Sequence, residues 1–344
     1  MLGTLTGNLA VKYNEATNRT LALPLLIFYP TARCNSRCLS CDWWKADGRD
    51  DLTCEEIRAL AAQLPALGVR VIVFSGGEPL LRREVFEIAA LFRAHNLKLQ
   101  LLTAGLFLER DAEKIAQHFE QVTISLDGPT NALYQAIRGV DALALVERGA
   151  KKFRCVAPHL PLRARSTLHR HNFRALPQLI DKARTMGLEQ ISFLATDVTS
   201  EAFGRARGEH PIRELLLEEK EIREFEQVVE QTIMSHARDF ETRFVAESPD
   251  KLRRLPRYYA AQLGLGAFPP IACNAPWVSA VIEADGAVRP CYFHNAVGDV
   301  REKSLRDILQ DAMPAFRATL DVQANAVCKK CVCTLKVGMR TRLW

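Results

Sequence analysis

Three cysteines stand close together in one short segment of the chain, at Cys34, Cys38 and Cys41. An iron–sulfur cubane contains four irons, and each normally takes one cysteine thiolate. A segment that supplies three thiolates leaves one iron without a protein ligand, and an open metal position can bind a small molecule, as open zinc sites bind water or substrate. The spacing therefore predicts a cluster that acts on a bound small molecule. A zinc site and three unrelated thiols are the alternatives.

A glycine-rich turn follows downstream, at Ser75-Gly76-Gly77-Glu78-Pro79. It comes directly after the apolar run 69–74, whose β-branched composition is typical of a buried strand. Glycine allows the backbone to turn sharply and to approach a ligand closely. On its own such a stretch is an ordinary turn between a strand and a helix. Together with the cysteines, it predicts a ligand site.

The two motifs together closely resemble those of the radical S-adenosylmethionine (SAM) superfamily. The resemblance implies that the three cysteines hold a 4Fe–4S cluster, whose open iron binds the amino and carboxylate groups of SAM. Reduction then cleaves SAM to a 5′-deoxyadenosyl radical. One position departs from the family pattern, because the residue before the third cysteine is usually aromatic and here is Ser40. The resemblance also implies that the glycine-rich turn meets the SAM amino group through Gly76, Gly77, Glu78 and Pro79.

The elements that must position these motifs alternate between strand and helix. Six strands are predicted at 21–29, 71–74, 98–103, 122–126, 162–168 and 190–195. Helical patterns lie between them at 53–64, 83–95, 112–119, 142–152 and 176–186. Alternation of this kind predicts an α/β fold with a parallel sheet and right-handed crossovers. The resemblance implies the partial (β/α)6, TIM-like barrel of the radical SAM family.

Polar residues follow the carboxyl ends of these strands, where parallel α/β barrels carry their working residues. The resemblance implies that Ser125 and Asp127 lie near the methionyl and ribose groups of SAM, and Thr103 ends the third strand beside them. Arg165 is the expected partner of the SAM carboxylate, because a guanidinium can bind a carboxylate bidentately. Each of these residues is equally compatible with a structural role. Arg138, in Ile137-Arg138-Gly139, belongs to a loop that recurs near the active site in the family.

The last quarter of the chain holds a second group of cysteines. Asp285-Gly286 stands between the first two of them and predicts a hairpin turn. The arrangement resembles the auxiliary-cluster domain called SPASM, in its shorter one-cluster form, twitch. The resemblance implies a second 4Fe–4S cluster, with no open iron, on Cys273, Cys291, Cys328 and Cys331. Cys333 is the alternative to Cys331 as fourth ligand, and zinc is the alternative to iron, since both accept thiolates.

The motifs divide the chain into four predicted segments. These are an N-terminal extension at 1–21, the radical SAM partial barrel at 22–210, a helical connector at 211–265 and the twitch/SPASM-like iron–sulfur domain at 266–344. A charged amphipathic helix is expected at 217–240. The Pro- and Gly-rich stretch 249–270 is expected to be a connector. Cys54 and Cys155 have no cysteine partners in sequence and are predicted to pack as small apolar side chains.

Composition excludes several classes of protein. The longest apolar run near the N-terminus is too short to span a membrane and lacks the layout of a signal peptide, so we predict a cytoplasmic protein with no membrane partner. Ten cysteines then favour metal ligands over disulfides. The formal net charge is +6, and Lys and Arg are scattered along the chain. This distribution predicts no nucleic-acid partner.

The leading hypothesis is a radical SAM enzyme of oxidoreductase or lyase type that abstracts hydrogen from a small polar metabolite. Candidate substrates are a natural-product sugar or nucleoside and a cofactor intermediate, with carboxylated metabolites among them. The auxiliary cluster would assist electron transfer, and a flavodoxin or ferredoxin would donate the electron. Only 33 residues precede Cys34, too few for the leader-binding domain that peptide-maturing relatives often carry. A peptide maturase with a separate leader-binding partner remains an alternative, as does a non-catalytic iron–sulfur or zinc protein.

Overall fold

A computed structural model describes residues 2–205, 212–339 and 341, and the side chains of residues 7 onward within these ranges. Among these residues, nine strands form one continuous sheet in the order β6-β5-β4-β3-β2-β1-β7-β8-β9. The strands are β1 (Leu25–Phe28), β2 (Val71–Phe74), β3 (Lys98–Thr103), β4 (Gln121–Ser125), β5 (Leu162–Leu168), β6 (Gln190–Ala195), β7 (Ser279–Ile282), β8 (Ala287–Arg289) and β9 (Gly298–Asp299).

Helices pack outside the first six strands, except that the first helix precedes them in the chain and packs against α12 (Ala275–Val278). They are α1 (Leu2–Thr17), α2 (Cys54–Gln63), α3 (Val85–Arg93), α4 (Leu108–His118), α5 (Asn131–Arg138), α6 (Leu143–Val156) and α7 (Leu176–Thr185). The C-terminal half adds α8 (Glu219–Ser235), α9 (Ala237–Glu241), α10 (Pro249–Leu252), α11 (Arg254–Gln262), α12 (Ala275–Val278), α13 (Leu305–Gln310), α14 (Ala312–Ala318) and α15 (Ala326–Lys329). The first six strands are all parallel, so the predicted partial (β/α)6 barrel is confirmed.

Local sequence signals set the bounds of these elements. Thr53 caps α2, because its side chain accepts from the Glu56 amide while the Glu56 carboxylate accepts from the Thr53 amide, a reciprocal capping box. The first strand is shorter than the predicted 21–29. It begins only after Pro24, which has no amide to donate to a ladder and whose carbonyl accepts from Arg70 and Val71.

The main core lies between the barrel sheet and its helices. Phe74 is at its centre and makes edge-to-face contacts with Phe28, Phe92 and Phe119, with ring centroids 5.7, 5.9 and 5.2 Å apart. All four rings are buried. Such pairs contribute roughly 0.5–1.5 kcal/mol each beyond the burial of their area. The core therefore fixes β1 and β2 side by side, the two strands from which the first two motifs emerge.

Strand register aligns the carboxyl ends of the barrel strands. Phe28 lies opposite Phe74, and Ser125 lies opposite Arg165. Successive side chains of a strand point to opposite faces, and in β5 the alternation places Leu162, Ala164 and Leu168 in the core. Arg165 and Thr167 are on the other face, which lines the interior of the barrel. The register therefore gathers the predicted site residues at one end of one face.

The predicted C-terminal hairpin is confirmed. Val281 pairs with Arg289 and Ile282 with Val288 in antiparallel register, and Gly286 has a φ of +98° at the turn. The sequence did not predict that β7 also pairs in parallel with β1. The barrel sheet thus continues into the hairpin without a break. The division of the chain into four segments remains a prediction.

The connector predicted over 249–270 contains two helices, α10 and α11, with Pro249 in the first turn of α10, where proline is tolerated. Tyr259 is buried and donates to the Leu168 carbonyl at the end of β5, so this stretch packs against the barrel. One expectation is wrong, because Cys155 is exposed on α6, whereas Cys54 is partly buried against the core as expected. No helix of the described residues is both long and apolar enough to cross a membrane.

Candidate functional site

The three N-terminal cysteines lie in the loop that follows β1. Cys34, Cys38 and Cys41 all line one cavity of about 200 Å³. Backbone bonds from distant segments hold the loop: the Arg37 amide donates to the Arg138 carbonyl at 2.9 Å, and the Asp42 amide donates to the Phe203 carbonyl at 2.9 Å. The cysteines are close together in the sequence, but contacts from the end of α5 and from the segment after β6 fix the position of their loop.

These thiols are partly buried. Burial raises the pKa of Cys34 to about 11, and it also raises the pKa values of Cys38 and Cys41. A bound cation deprotonates a coordinating thiol outright, because its charge replaces the missing solvation. Three soft thiol donors around one enclosed space match the chemistry of an iron–sulfur cluster. These residues therefore fit the cluster that the sequence motif implies.

The glycine-rich turn packs directly on the cysteine loop. The Gly77 amide donates to the Thr31 carbonyl at 3.2 Å, and the Glu78 amide donates to the Arg33 carbonyl at 2.8 Å. A Cβ atom on Gly77 would lie 2.1 Å from the Arg33 carbonyl oxygen, far inside van der Waals contact. Only glycine allows this approach, so the turn and the cysteine loop form one unit.

The predicted residues of this turn take different places. Gly76, Gly77 and Glu78 line the cavity, whereas Pro79 is buried outside that lining and begins a short 3-10 turn. Burial raises the pKa of Glu78. The Glu78 carboxylate accepts from the Thr103 hydroxyl at 2.8 Å and from the Ala104 amide at 2.7 Å. Glu78 and Thr103 thus join the ends of β2 and β3 across the rim of the cavity.

An ion pair occupies the opposite rim. Asp127 accepts from the Arg138 guanidinium at 3.1 Å and from the Thr167 amide at 2.8 Å. Burial acts to lower the pKa of Arg138, but the charges of Cys38 and Asp127 outweigh it, and the net shift is upward. Arg138 therefore stays cationic beside the thiols. Ser125 and Thr167 line the same cavity, so all the strand-end residues predicted from the sequence meet here.

Arg165 has a central position. Its Nε donates to the Ser192 hydroxyl at 3.2 Å, and its side chain lines three separate cavities. The first cavity holds the three N-terminal cysteines, and the second holds the C-terminal cysteines. Arg165 therefore faces the space between the two groups of thiols as well as the expected SAM site.

All five C-terminal cysteines converge on the second cavity, which has a volume of about 290 Å³. The inner face of β1 to β5 forms its other wall. The C-terminal segment is held beside the hairpin because Asn274 donates to the Val337 carbonyl at 2.9 Å and accepts from the Val337 amide at 2.8 Å. Asn274 directly follows the first cysteine of the group. The cavity lining is Cys273, Cys291, Cys328, Cys331 and Cys333, together with Tyr292 and His294 among others.

Several contacts are specific to individual thiols of this group. The His294 Nε2 lies 3.3 Å from the Cys328 sulfur, and the Cys331 thiol donates to the Cys333 carbonyl at 2.9 Å. Burial raises the pKa of Cys291 to about 11 and that of Cys328 to about 12.

Within residues 2–205 and 212–339, no three His, Cys, Asp or Glu side chains have the geometry to hold a single metal ion.

An aromatic contact joins the two cavities. Phe203 lines the first cavity, and its carbonyl accepts from the Cys41 thiol at 3.5 Å. Its ring stacks on that of Tyr292, with centroids 6.3 Å apart and an angle of 24°. Tyr292 lines the second cavity and directly follows Cys291. The sequence analysis did not single out Phe203, because nothing in the local pattern brings the segment after β6 to the cysteine loop.

Comparisons with known proteins match two family models. Residues 28–156 match the model of the radical SAM superfamily. Residues 273–332 match the SPASM model, which describes an iron–sulfur cluster-binding domain. The second match includes Cys331 and ends just before Cys333. The description of the SPASM model favours an iron–sulfur cluster over zinc in the C-terminal region.

Curated relatives share part of the sequence. Fe-coproporphyrin III synthase of Methanosarcina barkeri is 25% identical over 321 residues, covering 86% of this chain and 76% of the relative. A probable GTP 3′,8-cyclase of Methanocaldococcus jannaschii is 34% identical over 48% of this chain. Pre-heme d1 synthase of Dinoroseobacter shibae is 30% identical over 54% of this chain. The chain spans about half of these last two relatives, 57% and 46% respectively.

Solved structures share the fold. Streptococcus suis SuiB bound to its precursor peptide SuiA superposes with a TM-score of 0.66 at 16% identity, covering 93% of this chain and 73% of that one. Native anSMEcpe with bound AdoMet superposes with a TM-score of 0.65 at 19% identity, covering 90% of this chain and 86% of that one. At such identities the likeness concerns the fold alone.

Proposed function

Because the chain belongs to the radical SAM superfamily and carries a C-terminal SPASM domain, we propose that it abstracts hydrogen from a carboxylated tetrapyrrole, a cofactor intermediate. The relative aligned over most of this chain is a coproporphyrin synthase, and a second is a heme d1 precursor synthase. Both names denote tetrapyrroles, and coproporphyrins carry carboxylate side chains. The observation that carries the proposal is the cationic Arg165, which faces both cysteine cavities from the barrel interior.

Each cofactor has a proposed set of ligands. Cys34, Cys38 and Cys41 hold the SAM-binding 4Fe–4S cluster, which leaves one iron for SAM. The auxiliary 4Fe–4S cluster takes the four ligands Cys273, Cys291, Cys328 and Cys331. When bound, the first cluster supplies the electron that cleaves SAM to methionine and a 5′-deoxyadenosyl radical, and the second accepts or returns an electron from the substrate side.

The residues of the chain orient SAM and exclude water. Gly76 and Gly77 keep the turn close to the cluster loop, and this closeness positions carbonyl and amide groups for the SAM amino group. Arg138 and Arg165 are the candidate partners of its carboxylate, since each lines the cavity with a guanidinium. Ser125 and Asp127 lie on the side expected for the methionyl and ribose groups. Phe203 and Tyr292 form part of the wall between the two cavities and would help to exclude water.

The fourth auxiliary ligand is a choice between two neighbouring thiols. We favour Cys331, because the SPASM match ends at residue 332 and because two residues separate it from Cys328, a spacing common in metal-binding turns. Cys331→Ser should lower the iron content below ~8 per chain and alter the spectrum of the auxiliary cluster. Cys333→Ser is the matched control and should keep full iron. The reverse result would make Cys333 the ligand.

The substrate class is tested by coupled turnover. Anaerobically reconstituted protein, reduced by dithionite or by a flavodoxin or ferredoxin system, should release 5′-deoxyadenosine slowly from SAM alone. Coproporphyrin III or uroporphyrin III should accelerate this release several-fold, and mass spectrometry should show a changed tetrapyrrole. GTP and a mixture of unmodified peptides serve as the competing substrates. Acceleration by either of these, with none by the tetrapyrroles, would overturn the proposed substrate class and leave the SAM chemistry intact.

A further inference from the structure

A third cavity lies beside the auxiliary cysteines, and apart from Arg165, Cys331 and Cys333 its lining residues have no role in the chemistry described so far. Its volume is about 180 Å³, and it opens beyond the carboxyl end of β6, between α10 and α11 on one side and the Cys331–Thr334 segment on the other. Its lining includes Cys331 and Cys333, which also line the second cavity. The two cavities are therefore neighbours that share a wall.

Four cations from four different elements line this third cavity. They are Arg165 on β5, Lys251 on α10, Arg254 on α11 and Lys329 on α15. Lys251 and Arg254 are near each other in sequence, but Arg165 and Lys329 are distant from them and from each other, so the group forms only through the tertiary fold. The lining contains one carboxylate, Glu247, which accepts from the Phe193 amide at 2.9 Å. The balance of charge around the cavity is therefore strongly positive, and a concave site with low-dielectric walls concentrates such a field.

The cations of this cavity differ from their neighbours in having no ion pair. In the described part of the chain, no carboxylate forms a salt bridge with Arg165, Lys251, Arg254 or Lys329. Arg253, adjacent to Arg254, bonds Glu230 at 2.7 Å and Asp250 at 3.0 Å on the surface. Arg174 likewise pairs with Glu221 and Glu224. Glu247 interacts electrostatically with Arg165 and Lys251, but no salt bridge among the described residues engages the four cations, so an anion in the cavity could satisfy several of them at once.

The remaining walls are apolar. Phe193, Leu255, Tyr258 and Ile271 contribute to them. A site with an apolar wall and a cationic rim suits a ligand that has a hydrophobic body and carboxylate ends. Arg165 reaches this cavity and both cysteine cavities, so a large substrate in the barrel interior can extend a side chain into it.

We propose that the third cavity is a carboxylate subsite, in which Lys251 and Arg254 bind a carboxylate side chain of the substrate and Arg165 guides it from the barrel interior. The assignment rests on the proposed function, since it presumes a substrate with several carboxylates. The subsite sits next to Cys331 and Cys333. With one carboxylate bound here, the body of the substrate would lie between the two cysteine cavities, where it could react at either cavity.

The test compares a double variant with a matched control on the holoprotein, reconstituted with iron and sulfide and loaded with SAM. Lys251→Gln/Arg254→Gln removes two charges from the cavity. Arg257→Gln removes one charge from an exposed position on the same helix, outside the cavity lining. Iron content and circular dichroism check folding. If the double variant does not fold, the single variants Lys251→Gln and Arg254→Gln provide the same test.

Three probes are titrated and followed by fluorescence quenching or calorimetry: coproporphyrin III, its tetramethyl ester and tricarballylate. The double variant should bind coproporphyrin III at least about tenfold more weakly than wild type, because two charge-assisted contacts are lost. Arg257→Gln should bind it like wild type. The ester, which has no charged carboxylate, should bind weakly to all three proteins.

Each outcome separates the subsite from the proposed function. An unchanged affinity of the double variant for coproporphyrin III would overturn the subsite and leave the tetrapyrrole hypothesis standing. Binding of tricarballylate but not of coproporphyrin III by wild type, with loss in the double variant, would support the subsite and overturn the tetrapyrrole hypothesis. Failure of wild type to bind either carboxylate would overturn the subsite.

Discussion

The two groups of cysteines each line a cavity, but one group comes from a single short loop and the other from distant parts of the C-terminal region. Cys34, Cys38 and Cys41 come from one loop of eight residues, whereas the C-terminal group extends from Cys273 to Cys333. The first group has three thiols and the second has five around its cavity. A cubane on the first would keep an open iron, while one on the second would be saturated. The comparison predicts that reactivity depends on the missing protein ligand and not on the distance between the cysteines in the sequence.

The two sites also depend on the fold differently. The first loop is held mainly by backbone bonds from the glycine-rich turn, the end of α5 and the segment after β6. The second is assembled by the hairpin, whose first strand pairs with β1, and by the contact of Asn274 with the C-terminal segment. Because β1 lies beside both cysteine sites, a substitution that disrupts β1 would affect both of them. A substitution that disrupts the hairpin would affect only the second site.

The largest expected effect comes from removing the first group. Cys34→Ala/Cys38→Ala/Cys41→Ala should abolish 5′-deoxyadenosine formation, because no open iron can assemble. Iron should fall from ~8 to ~4 per chain, as the second cluster remains. Iron analysis and chromatography of the products measure both. Residual SAM cleavage at the wild-type rate would show that the first group is not the site of SAM chemistry.

Removing the second group should give a different loss. Cys291→Ala/Cys328→Ala should lower iron by about half and still cleave SAM, but should fail to release the final product, because a substrate radical has lost its electron acceptor. Mass spectrometry of the substrate and a 5′-deoxyadenosine assay separate the two steps. Normal product formation by a well-folded variant would contradict the electron-transfer role.

A substitution in the glycine-rich turn should damage the first site alone. Gly77→Ala places a Cβ against the Arg33 carbonyl, at a distance of 2.1 Å before relaxation, and must therefore displace the backbone next to Cys34. We expect reduced iron in the first cluster and at least about tenfold weaker SAM binding, the order of effect of a packing error in a binding site. Equilibrium dialysis with SAM measures the binding. Gly338→Ala is the control, because its added Cβ would have its nearest neighbour at 3.8 Å.

The smallest expected effect concerns an ion pair that connects the barrel to the C-terminal region. Glu56 on the barrel side bonds Arg301 on the C-terminal side at 2.6 Å. The Arg301 guanidinium, with the Thr53 amide, lowers the pKa of Glu56 to about 2. The pair is about one-third exposed, so Glu56→Gln should cost only about 0.2–1 kcal/mol of unfolding free energy. Glutamine preserves the capping box, which isolates the ion pair.

The pH dependence of this link has a definite sign. A carboxyl whose pKa is lower in the folded state stabilises the protein above its unfolded pKa, near 4.5, and loses that contribution as the pH falls toward 2. The difference between wild type and Glu56→Gln in urea unfolding should therefore be constant from pH 6 to 8 and shrink below pH 4.5. Glu55→Gln, an exposed neighbour, is the control. An equal loss of unfolding free energy in Glu56→Gln and Glu55→Gln would show that the effect comes from the charge at the helix N-terminus and not from the ion pair with Arg301.

By itself, the sequence determined the chemistry of the motifs and the order of the elements. The spacing of the first three cysteines, the glycine-rich turn and the Asp285-Gly286 hairpin were all readable, because each depends on residues within a few positions of one another. Four strands, β2, β3, β5 and β6, matched their predicted bounds for the same reason, since a run of alternating or apolar residues is a local property.

Only the tertiary structure decided what long-range packing controls. The pairing of β7 with β1, the helical packing of 249–262 against the barrel, the contact of Phe203 with Tyr292 and the cationic cavity each join segments far apart in the chain. No local pattern encodes them, because strand order and side-chain convergence depend on the summed burial of the whole core. Arg165 illustrates the division: its strand and face followed from the sequence, but its position at the junction of three cavities did not.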